Sequence, residues 1–260
     1  MCGFGKTNRV HIILKLWNGL RASLNANSIT IVTMNITSVD SLAALKQKIE
    51  SRDARARIVG MGYVGLPLAL LFSDEGFRVT GFDIAPDKVA SLNAGGSYIV
   101  RILPSGIEKA KRAGFRATTD YSEIAEMDAA ITCVPTPLND HKEPDLSFVR
   151  GTVESIAPHI HADKLIVLES KTYPGTTEEI VVPVLEAGNR HGLKVARAID
   201  ERGLHVVFLP EREDPGNDTI ARHDIPKVIG GCGPVAVDLG SSLYGAIFAR
   251  VVPVSSPAVV

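Results

Sequence analysis

After residue 40, short apolar runs alternate with segments whose apolar residues recur at helical spacing. The apolar runs predict buried strands, and the helical spacing predicts amphipathic helices between them. Predicted strands cover residues 57–60, 77–83, 115–118, 128–134, 164–169, 204–209, 228–231 and 250–254. Predicted helices cover residues 40–50, 65–75, 87–93, 107–113, 146–160, 178–187 and 235–243. Because strands and helices alternate, we predict an α/β fold with a Rossmann-type, doubly wound parallel sheet and right-handed crossovers.

A glycine-rich turn connects the first predicted strand to the first helix of the sheet. Gly60, Gly62 and Gly65 have the spacing G-x-G-x-x-G, and the next predicted strand ends at Asp83. In dinucleotide-binding folds, the first glycine makes the tight turn, the second lets the backbone approach a pyrophosphate, and the third allows close helix packing. An acid at the end of the second strand accepts hydrogen bonds from the ribose hydroxyls and disfavours a 2′-phosphate. The pattern therefore predicts NAD rather than NADP as the cofactor.

Other polar motifs also follow predicted strands, where ligands bind in open α/β sheets. They are Pro135-Thr136-Pro137, the segment 170–174, and Pro210-Glu211. We predict that one crevice collects them. Taken alone, Thr136 is also explained as a turn hydroxyl between two prolines. Glu211 is also explained as a solvated carboxylate in a charge-rich turn.

Composition narrows the class of protein further. The chain has 45% hydrophobic and 22% charged residues and a formal net charge of −1. These values are ordinary for a globular protein and predict neither nucleic-acid binding nor association with a membrane. The three cysteines and seven histidines show neither disulfide nor metal-ligand spacing. We therefore predict no metal site, and a cytoplasmic location.

The first 33 residues differ from the rest, because no Asp or Glu occurs before Asp40. A basic, acid-poor segment is also typical of a transit peptide. Our hypothesis is that translation begins at Met34 and that residues 1–33 are a leader without a fold of its own. The predicted organisation is then a short N-terminal helix within 34–54, a Rossmann domain over 55–254, and a link at 255–260.

Four motifs in this order resemble one known family. The chain is similar to the N-terminal NAD-binding domain of the UDP-glucose/GDP-mannose dehydrogenases over roughly residues 38–254. The short helix before the first strand and the Glu-Arg-Glu-Asp-Pro-Gly-Asn run look most like the branch that acts on UDP-N-acetylglucosamine. The motifs are Gly60-x-Gly62-Tyr63-Val64-Gly65-Leu66-Pro67, Val134-Pro-Thr-Pro137, Tyr173-Pro-Gly-Thr-Thr177 and Pro210-Glu-Arg-Glu-Asp-Pro-Gly216.

The resemblance implies an enzyme that oxidises the C6 alcohol of a UDP-sugar to a carboxylate, with two NAD, for polysaccharide biosynthesis. A cysteine thiol captures the aldehyde intermediate, and a thioester is then oxidised and hydrolysed. Catalytic roles fall on Thr136, which contacts the cofactor and a water, and on Glu211, which activates water. The implied cofactor-binding residues are Gly60, Gly62, Tyr63, Val64, Gly65, Asp83, Pro135, Thr136 and Thr172.

The chain also departs from the family pattern. The family's catalytic cysteine lies in a Gly-Gly-x-Cys-x-Pro-Lys-Asp run, and Cys232 lacks the Lys-Asp that should follow. We interpret Cys232 as a false match and Cys133 as a small apolar residue of a buried strand. Lys171 and Leu209 replace a threonine and a small polar residue beside the cofactor site.

The central helix and the C-terminal nucleotide-sugar domain of the family are missing, so residues 255–260 are interpreted as a truncated link. We expect this chain to bind NAD without turnover. The homodimer that the family forms largely through the central helix is doubtful here.

Three alternatives stay open on the sequence. One is an NAD-binding module without catalysis, and another is a fragment of a UDP-glucose or GDP-mannose 6-dehydrogenase. The third is a dehydrogenase of the 6-phosphogluconate or hydroxyacyl-CoA type, which shares only the fold. The ordered Val-Pro-Thr-Pro and Pro-Glu-Arg motifs count against the third.

Overall fold

The computed structural model describes residues 41–139, 141–211 and 224–260. The leader predicted for residues 1–33, the proposed start at Met34, and the motif residues 212–216 lie outside these ranges. Eight strands of the described residues form one sheet. They are β1 (Arg55–Val59), β2 (Arg78–Phe82), β3 (Arg116–Thr118), β4 (Ala129–Thr132), β5 (Lys164–Leu168), β6 (Leu204–Phe208), β7 (Lys227–Gly231) and β8 (Val251–Val254).

The sheet has the strand order β3-β2-β1-β4-β5-β6-β7-β8. Strands β1 to β6 all pair in parallel, in the order of a Rossmann fold. The predicted fold class is therefore confirmed. The order in which successive strands are added to the sheet reverses between β1 and β4. Such a switch point is where open α/β sheets bind ligands.

The last two strands correct the expectation of a fully parallel sheet. Strand β7 pairs antiparallel with β6, where Val207 lies opposite Gly231 and Phe208 opposite Gly230. Strand β8 is parallel to β7. The amino end of β7 therefore lies at the carboxyl ends of the parallel strands, among the polar motifs. A single-sequence pattern does not reveal strand direction, because apolar runs look alike in both directions.

Seven α-helices of the described residues cover the sheet and its edges. They are α1 (41–50), α2 (Gly65–Asp74), α3 (Pro86–Asn93), α4 (Pro104–Arg112), α5 (Ser147–Ile156), α6 (Val182–Gly188) and α7 (Pro234–Gly245). Two predicted helices are irregular at a proline. Helix α5 continues as a 3-10 turn through Pro158, and α6 follows a π-helical segment that ends just before Pro183. Proline removes one helical N–H donor, which explains both irregularities.

The sheet separates two apolar cores. One includes Leu45 and Ile49 of α1, Phe72 of α2 and Tyr244 of α7. Helix α1 is therefore part of the folded domain rather than an independent segment. The other core lies under α5 and α6. At the end of the chain, a 3-10 helix (Pro257–Val259) packs against β7, and Pro257 is buried.

Candidate active site

The geometry of the glycine turn explains all three glycines. Gly60 has φ of +95°, and a Cβ there would lie 2.7 Å from the carbonyl oxygen of Cys133. A Cβ on Gly65 would lie 1.9 Å from the carbonyl oxygen of Gly60. A Cβ on Gly62 would meet no atom within 4 Å. The first and third glycines are therefore required by packing, while the second leaves open space beside the backbone.

Asp83 lies beside this turn, as the sequence predicted. One carboxylate oxygen accepts the Met61 N–H at 2.9 Å, and the other accepts the Ala85 N–H at 3.0 Å. The Lys88 ammonium lies 3.5 Å from Asp83. The oxygen that accepts from Ala85 keeps a further lone pair for a ligand hydroxyl. The sequence analysis did not predict that Lys88 lies beside Asp83. Its position in the helix that begins just after Asp83 would have indicated this proximity.

A cleft of about 160 Å³ lies at the carboxyl ends of β4, β5 and β6. It adjoins a second cleft of about 410 Å³, and Lys171 and Glu211 line both. The structure therefore brings together five of the predicted site residues, as the single-crevice prediction required. These five are Val64, Pro135 and Thr136 in the first cleft, Thr172 in the second, and Glu211 in both. Asp83 lines neither cleft and stays at the glycine turn.

The two predicted threonines have different hydrogen-bond states. Thr136 Oγ1 donates to the Lys171 carbonyl oxygen at 2.6 Å, which ties the loop after β4 to the loop after β5. Since its hydrogen is used, this hydroxyl can serve a ligand as an acceptor. Thr172 Oγ1 is buried and has no hydrogen-bond partner among the described residues. A buried polar atom without a partner is unfavourable, so Thr172 is suited to bind a ligand in the larger cleft.

The two residues that depart from the family pattern, Lys171 and Leu209, differ in where their side chains lie. Lys171 is exposed and lines both clefts, so its side chain does stand in the site. Leu209 is fully buried in the core and lines neither cleft. The Leu209 side chain packs in the apolar core rather than in the cleft.

Glu211 is not a solvated loop carboxylate. It is 7% exposed, and Lys227 Nζ lies 2.5 Å from its Oε2. Lys227 is 1% exposed, and its Nζ also lies 3.6 Å from Oε1 of Glu169. Continuing the antiparallel register of β6 and β7 beyond Phe208 and Gly230 sets Glu211 opposite Lys227. The reversed direction of β7 thus supplies a buried ammonium to the predicted catalytic carboxylate.

Glu169 is a second carboxyl group behind Glu211, and it is fully buried at the end of β5. Burial raises the pKa of Glu169 to about 7; the Lys227 ammonium opposes this rise, and the Glu211 carboxylate adds to it. The Cys133 thiol donates to Glu169 Oε2 at 3.4 Å. Burial raises the pKa of the Tyr244 hydroxyl of α7, and the Glu169 carboxyl raises it further, although this hydroxyl has no hydrogen-bond partner among the described residues.

Sequence reasoning missed Glu169, Lys227 and Tyr244 as parts of the site. Of these three residues, only Glu169 could have been predicted from the sequence, because it is an acid that directly follows an apolar strand, where ligands bind. Lys227 and Tyr244 lie on elements whose placement against β6 depends on the reversed strand direction.

Neither described cysteine has the environment of a reactive thiolate. Burial raises the pKa of the Cys133 thiol well above its ordinary value, and the nearby Glu169 carboxyl raises it further. Burial also raises the pKa of Cys232 to about 11. Cys232 lines neither cleft, because β7 runs antiparallel and its carboxyl end points away from the site. This position agrees with the interpretation of Cys232 as a false match.

The raised pKa of Glu169 predicts a specific pH dependence of stability. Unfolded Glu169 loses its proton near its ordinary pKa of 4.5, whereas the folded protein keeps it to about pH 7. The stability from this proton is complete below 4.5 and is lost as pH rises to 7. Glu169→Gln should therefore be less stable relative to wild type at about pH 5 than at about pH 7.5. Urea unfolding of both proteins at the two pH values measures this, and an equal difference at both would contradict it.

Comparison with known proteins identifies the family. The model of the "UDP-glucose/GDP-mannose dehydrogenase family, NAD binding domain" matches residues 54–248. The chain belongs to this family. The Rossmann sheet is accordingly a nucleotide-sugar dehydrogenase NAD-binding domain, and its cofactor is NAD. The fold and cofactor predicted from the glycine turn and Asp83 are confirmed, and so is the family predicted from the four motifs.

Relatives of this dehydrogenase domain include two bacterial enzymes. The UDP-N-acetyl-D-glucosamine 6-dehydrogenase of Pseudomonas aeruginosa is 34% identical over 193 residues, covering 74% of this chain and 43% of that protein. The UDP-N-acetyl-D-mannosamine dehydrogenase of Escherichia coli K12 is 34% identical over 194 residues, covering 74% and 45%. The chain thus spans less than half the length of these relatives.

Solved structures of dehydrogenases agree with this assignment. The NDP-N-acetyl-D-galactosaminuronic acid dehydrogenase of Methanosarcina mazei has a TM-score of 0.72 and 28% identity, covering 83% of this chain and 47% of that one. The GDP-mannose dehydrogenase of Pseudomonas aeruginosa, solved as a ternary complex, has a TM-score of 0.69 and 27% identity, covering 79% and 47%.

The local geometry of this NAD-binding domain suits the cofactor. Gly62 leaves open space at the turn, and the N-terminus of α2 has no side-chain cap. A helix N-terminus with free N–H groups favours a pyrophosphate. No helix within the described ranges is long and apolar enough to cross a membrane.

Proposed function

We propose that this chain is the NAD-binding portion of a UDP-N-acetylhexosamine 6-dehydrogenase, which oxidises the sugar C6 alcohol to a carboxylate for polysaccharide biosynthesis. The observation that carries the proposal is the cleft in which Val64 of the glycine turn, Thr136 and Glu211 meet. The relatives named for UDP-N-acetylglucosamine and UDP-N-acetylmannosamine favour an N-acetylated sugar over UDP-glucose or GDP-mannose.

In this proposal, the glycine turn and the N-terminus of α2 hold the pyrophosphate of NAD, and Asp83 accepts the ribose hydroxyls. NAD, when bound, supplies the hydride acceptor. Thr172, whose buried hydroxyl oxygen has no partner in the described part of the chain, is positioned to donate to the ligand. The complete proposed set is Gly60, Gly62, Tyr63, Val64, Gly65, Asp83, Pro135, Thr136 and Thr172.

Glu211 is proposed as the general base that takes a proton from water during thioester hydrolysis. It lines both clefts, and the Lys227 ammonium holds its carboxylate in place with a contact of 2.5 Å to Oε2. Thr136 donates to the Lys171 carbonyl oxygen, so its own oxygen is left to accept a hydrogen from the same water.

This chain by itself is proposed to bind NAD without turnover. It contains no Gly-x-Cys-x-Pro-Lys-Asp run. The raised pKa values of Cys133 and Cys232 favour neutral thiols, and a neutral thiol is a poor nucleophile for an aldehyde.

Calorimetry and absorbance test both parts of the proposal. We expect saturable NAD binding by the purified chain, with NADP weaker by at least about tenfold because of the Asp83 charge. Asp83→Asn should lose most of the NAD affinity, while Asp87→Asn, an exposed acid of α3, should keep it. No NADH should form from UDP-N-acetylglucosamine or UDP-N-acetylmannosamine. Absence of NAD binding would refute the cofactor role, and NADH formation would refute the lack of turnover.

A further inference from the structure

A tyrosine from a distant loop contacts the backbone of the glycine turn. Tyr98 lies between α3 and α4, and its hydroxyl donates to the Met61 carbonyl oxygen at 2.5 Å. The Met61 N–H, which belongs to the preceding peptide unit, donates to the Asp83 carboxylate at 2.9 Å. Two side chains from other parts of the fold therefore hold the two peptide units that flank the Met61 Cα.

The peptide unit between Met61 and Gly62 connects the tyrosine to the proposed pyrophosphate position. A trans peptide unit is planar, so its C=O and its N–H point in opposite directions, and none of the described peptide bonds is cis. By fixing the Met61 carbonyl, Tyr98 also fixes the direction of the Gly62 N–H. This N–H makes no hydrogen bond within the described ranges. A Cβ on Gly62 would meet no atom within 4 Å, so there is space for a ligand beside this donor.

We propose that Tyr98 is a positioning residue for the pyrophosphate of NAD: its hydroxyl holds the peptide unit between Met61 and Gly62 so that the Gly62 N–H stays directed at the phosphate. The inference rests on the proposed binding of NAD at the glycine turn. Glycine lets a neighbouring peptide unit rotate at little steric cost. The missing side chain that opens the turn to a ligand therefore leaves the direction of its N–H unspecified, and the Tyr98 hydroxyl supplies that direction.

Tyr98 is itself held in place beside the turn. Its ring packs against the apolar core on the α2 side of the sheet, and the adjacent Ile99 is buried in that core. The Lys88 ammonium lies 5.7 Å from the centroid of the Tyr98 ring and 3.5 Å from Asp83. Burial raises the pKa of the Tyr98 hydroxyl, and the Asp83 charge raises it further. The hydroxyl therefore keeps the hydrogen that it donates to the turn.

Tyr98→Phe tests the proposal, because it removes the hydroxyl and keeps the ring. We expect NAD affinity, measured by calorimetry, to fall about tenfold, because the N–H donor to the phosphate is no longer held in position. The thermal midpoint should fall by no more than a few degrees. In nitrogen-15 NMR, the Gly62 amide signal should shift when NAD binds to wild type and shift much less in the variant.

Tyr121→Phe is the matched control. Tyr121 is also half-buried, and its ring packs on Phe82 with centroids 5.8 Å apart. Burial raises the pKa of Tyr121 and the Asp83 charge raises it further, so the two tyrosines have similar surroundings. The Tyr121 hydroxyl, however, makes no hydrogen bond in the described part of the chain. This variant should keep both the NAD affinity and the Gly62 shift of wild type.

Each result of these measurements decides the proposal. An unchanged NAD affinity or an unchanged Gly62 shift in Tyr98→Phe would overturn it. A loss of affinity that accompanies a large drop in the thermal midpoint would also overturn it, because a structural role explains both losses.

A wild-type chain that binds no NAD refutes the proposed function, and spectra without NAD then decide the role of Tyr98 separately. Rotation of the freed peptide unit on the microsecond-to-millisecond timescale should broaden the Gly62 signal in Tyr98→Phe. Equal line widths in the variant and wild type would refute the positioning role.

Discussion

Gly65→Ala is expected to lower the thermal midpoint of the chain by about 10 °C and to remove measurable NAD binding. The new Cβ would lie 1.9 Å from the carbonyl oxygen of Gly60, so the clash is with backbone rather than with a movable side chain. Helix α2 would have to shift away from β1, which costs about 3 kcal/mol, the upper end for overpacking. That shift also moves the helix N-terminus away from the proposed pyrophosphate position.

Gly62→Ala is the matched control for this prediction. Its Cβ would meet no protein atom within 4 Å, so the thermal midpoint should stay close to that of wild type. NAD affinity should still fall, because the methyl group occupies the open space beside the backbone. Scanning calorimetry and isothermal titration measure the two quantities. Equal thermal midpoints for Gly65→Ala and wild type would show that the turn is looser than its geometry indicates.

Lys227→Met is expected to lower the free energy of unfolding by about 3–5 kcal/mol near pH 8, the cost of removing one partner of a buried ion pair. Methionine has a similar length and can still pack against the Phe248 ring, so the loss comes mainly from charge. Without the ammonium, Glu211 and Glu169 have lost the cation that they share. The fully buried Glu169 must then remain ionised without that ammonium, or keep its proton to a pH still further above its ordinary pKa.

The cost of Lys227→Met should shrink near pH 5, because the buried Glu169, whose pKa is raised to about 7, then holds its proton in the folded protein. Lys46→Met is the control, since Lys46 forms an exposed pair with Asp238. That pair should contribute no more than about 1 kcal/mol at either pH. Chemical unfolding of both variants at the two pH values provides the comparison. A small, pH-independent effect of Lys227→Met would mean that water or another cation already balances the carboxylates.

Local sequence patterns predicted much of this fold, and for a physical reason. The glycine turn, the acid of Asp83 and the alternation of apolar strands with helices depend on residues close together in the chain. Backbone sterics and side-chain period act at that range. The motifs after β4, β5 and β6 also meet in one cleft as expected, because parallel strands direct their carboxyl ends to the same edge.

The remaining features depend on contacts between distant residues. The local pattern did not distinguish the buried side chain of Leu209 from the cleft-lining Lys171. Period-2 alternation does not say which sheet face a strand-end residue takes until its neighbours are placed. For the same reason the sequence placed Glu211 in the site but did not say whether it was solvated or buried.

By itself, the sequence of this chain determined a Rossmann-type sheet, NAD as the cofactor of that fold, and membership of the nucleotide-sugar dehydrogenases. Only the tertiary structure decided that β7 runs against β6 and brings Lys227 to Glu211, with Glu169 behind them. A dinucleotide turn is specified by sterics over a few consecutive residues. A buried ion pair exists only where folding has removed water from groups that are far apart in the chain. Its partners can therefore be identified only after the strands have been placed.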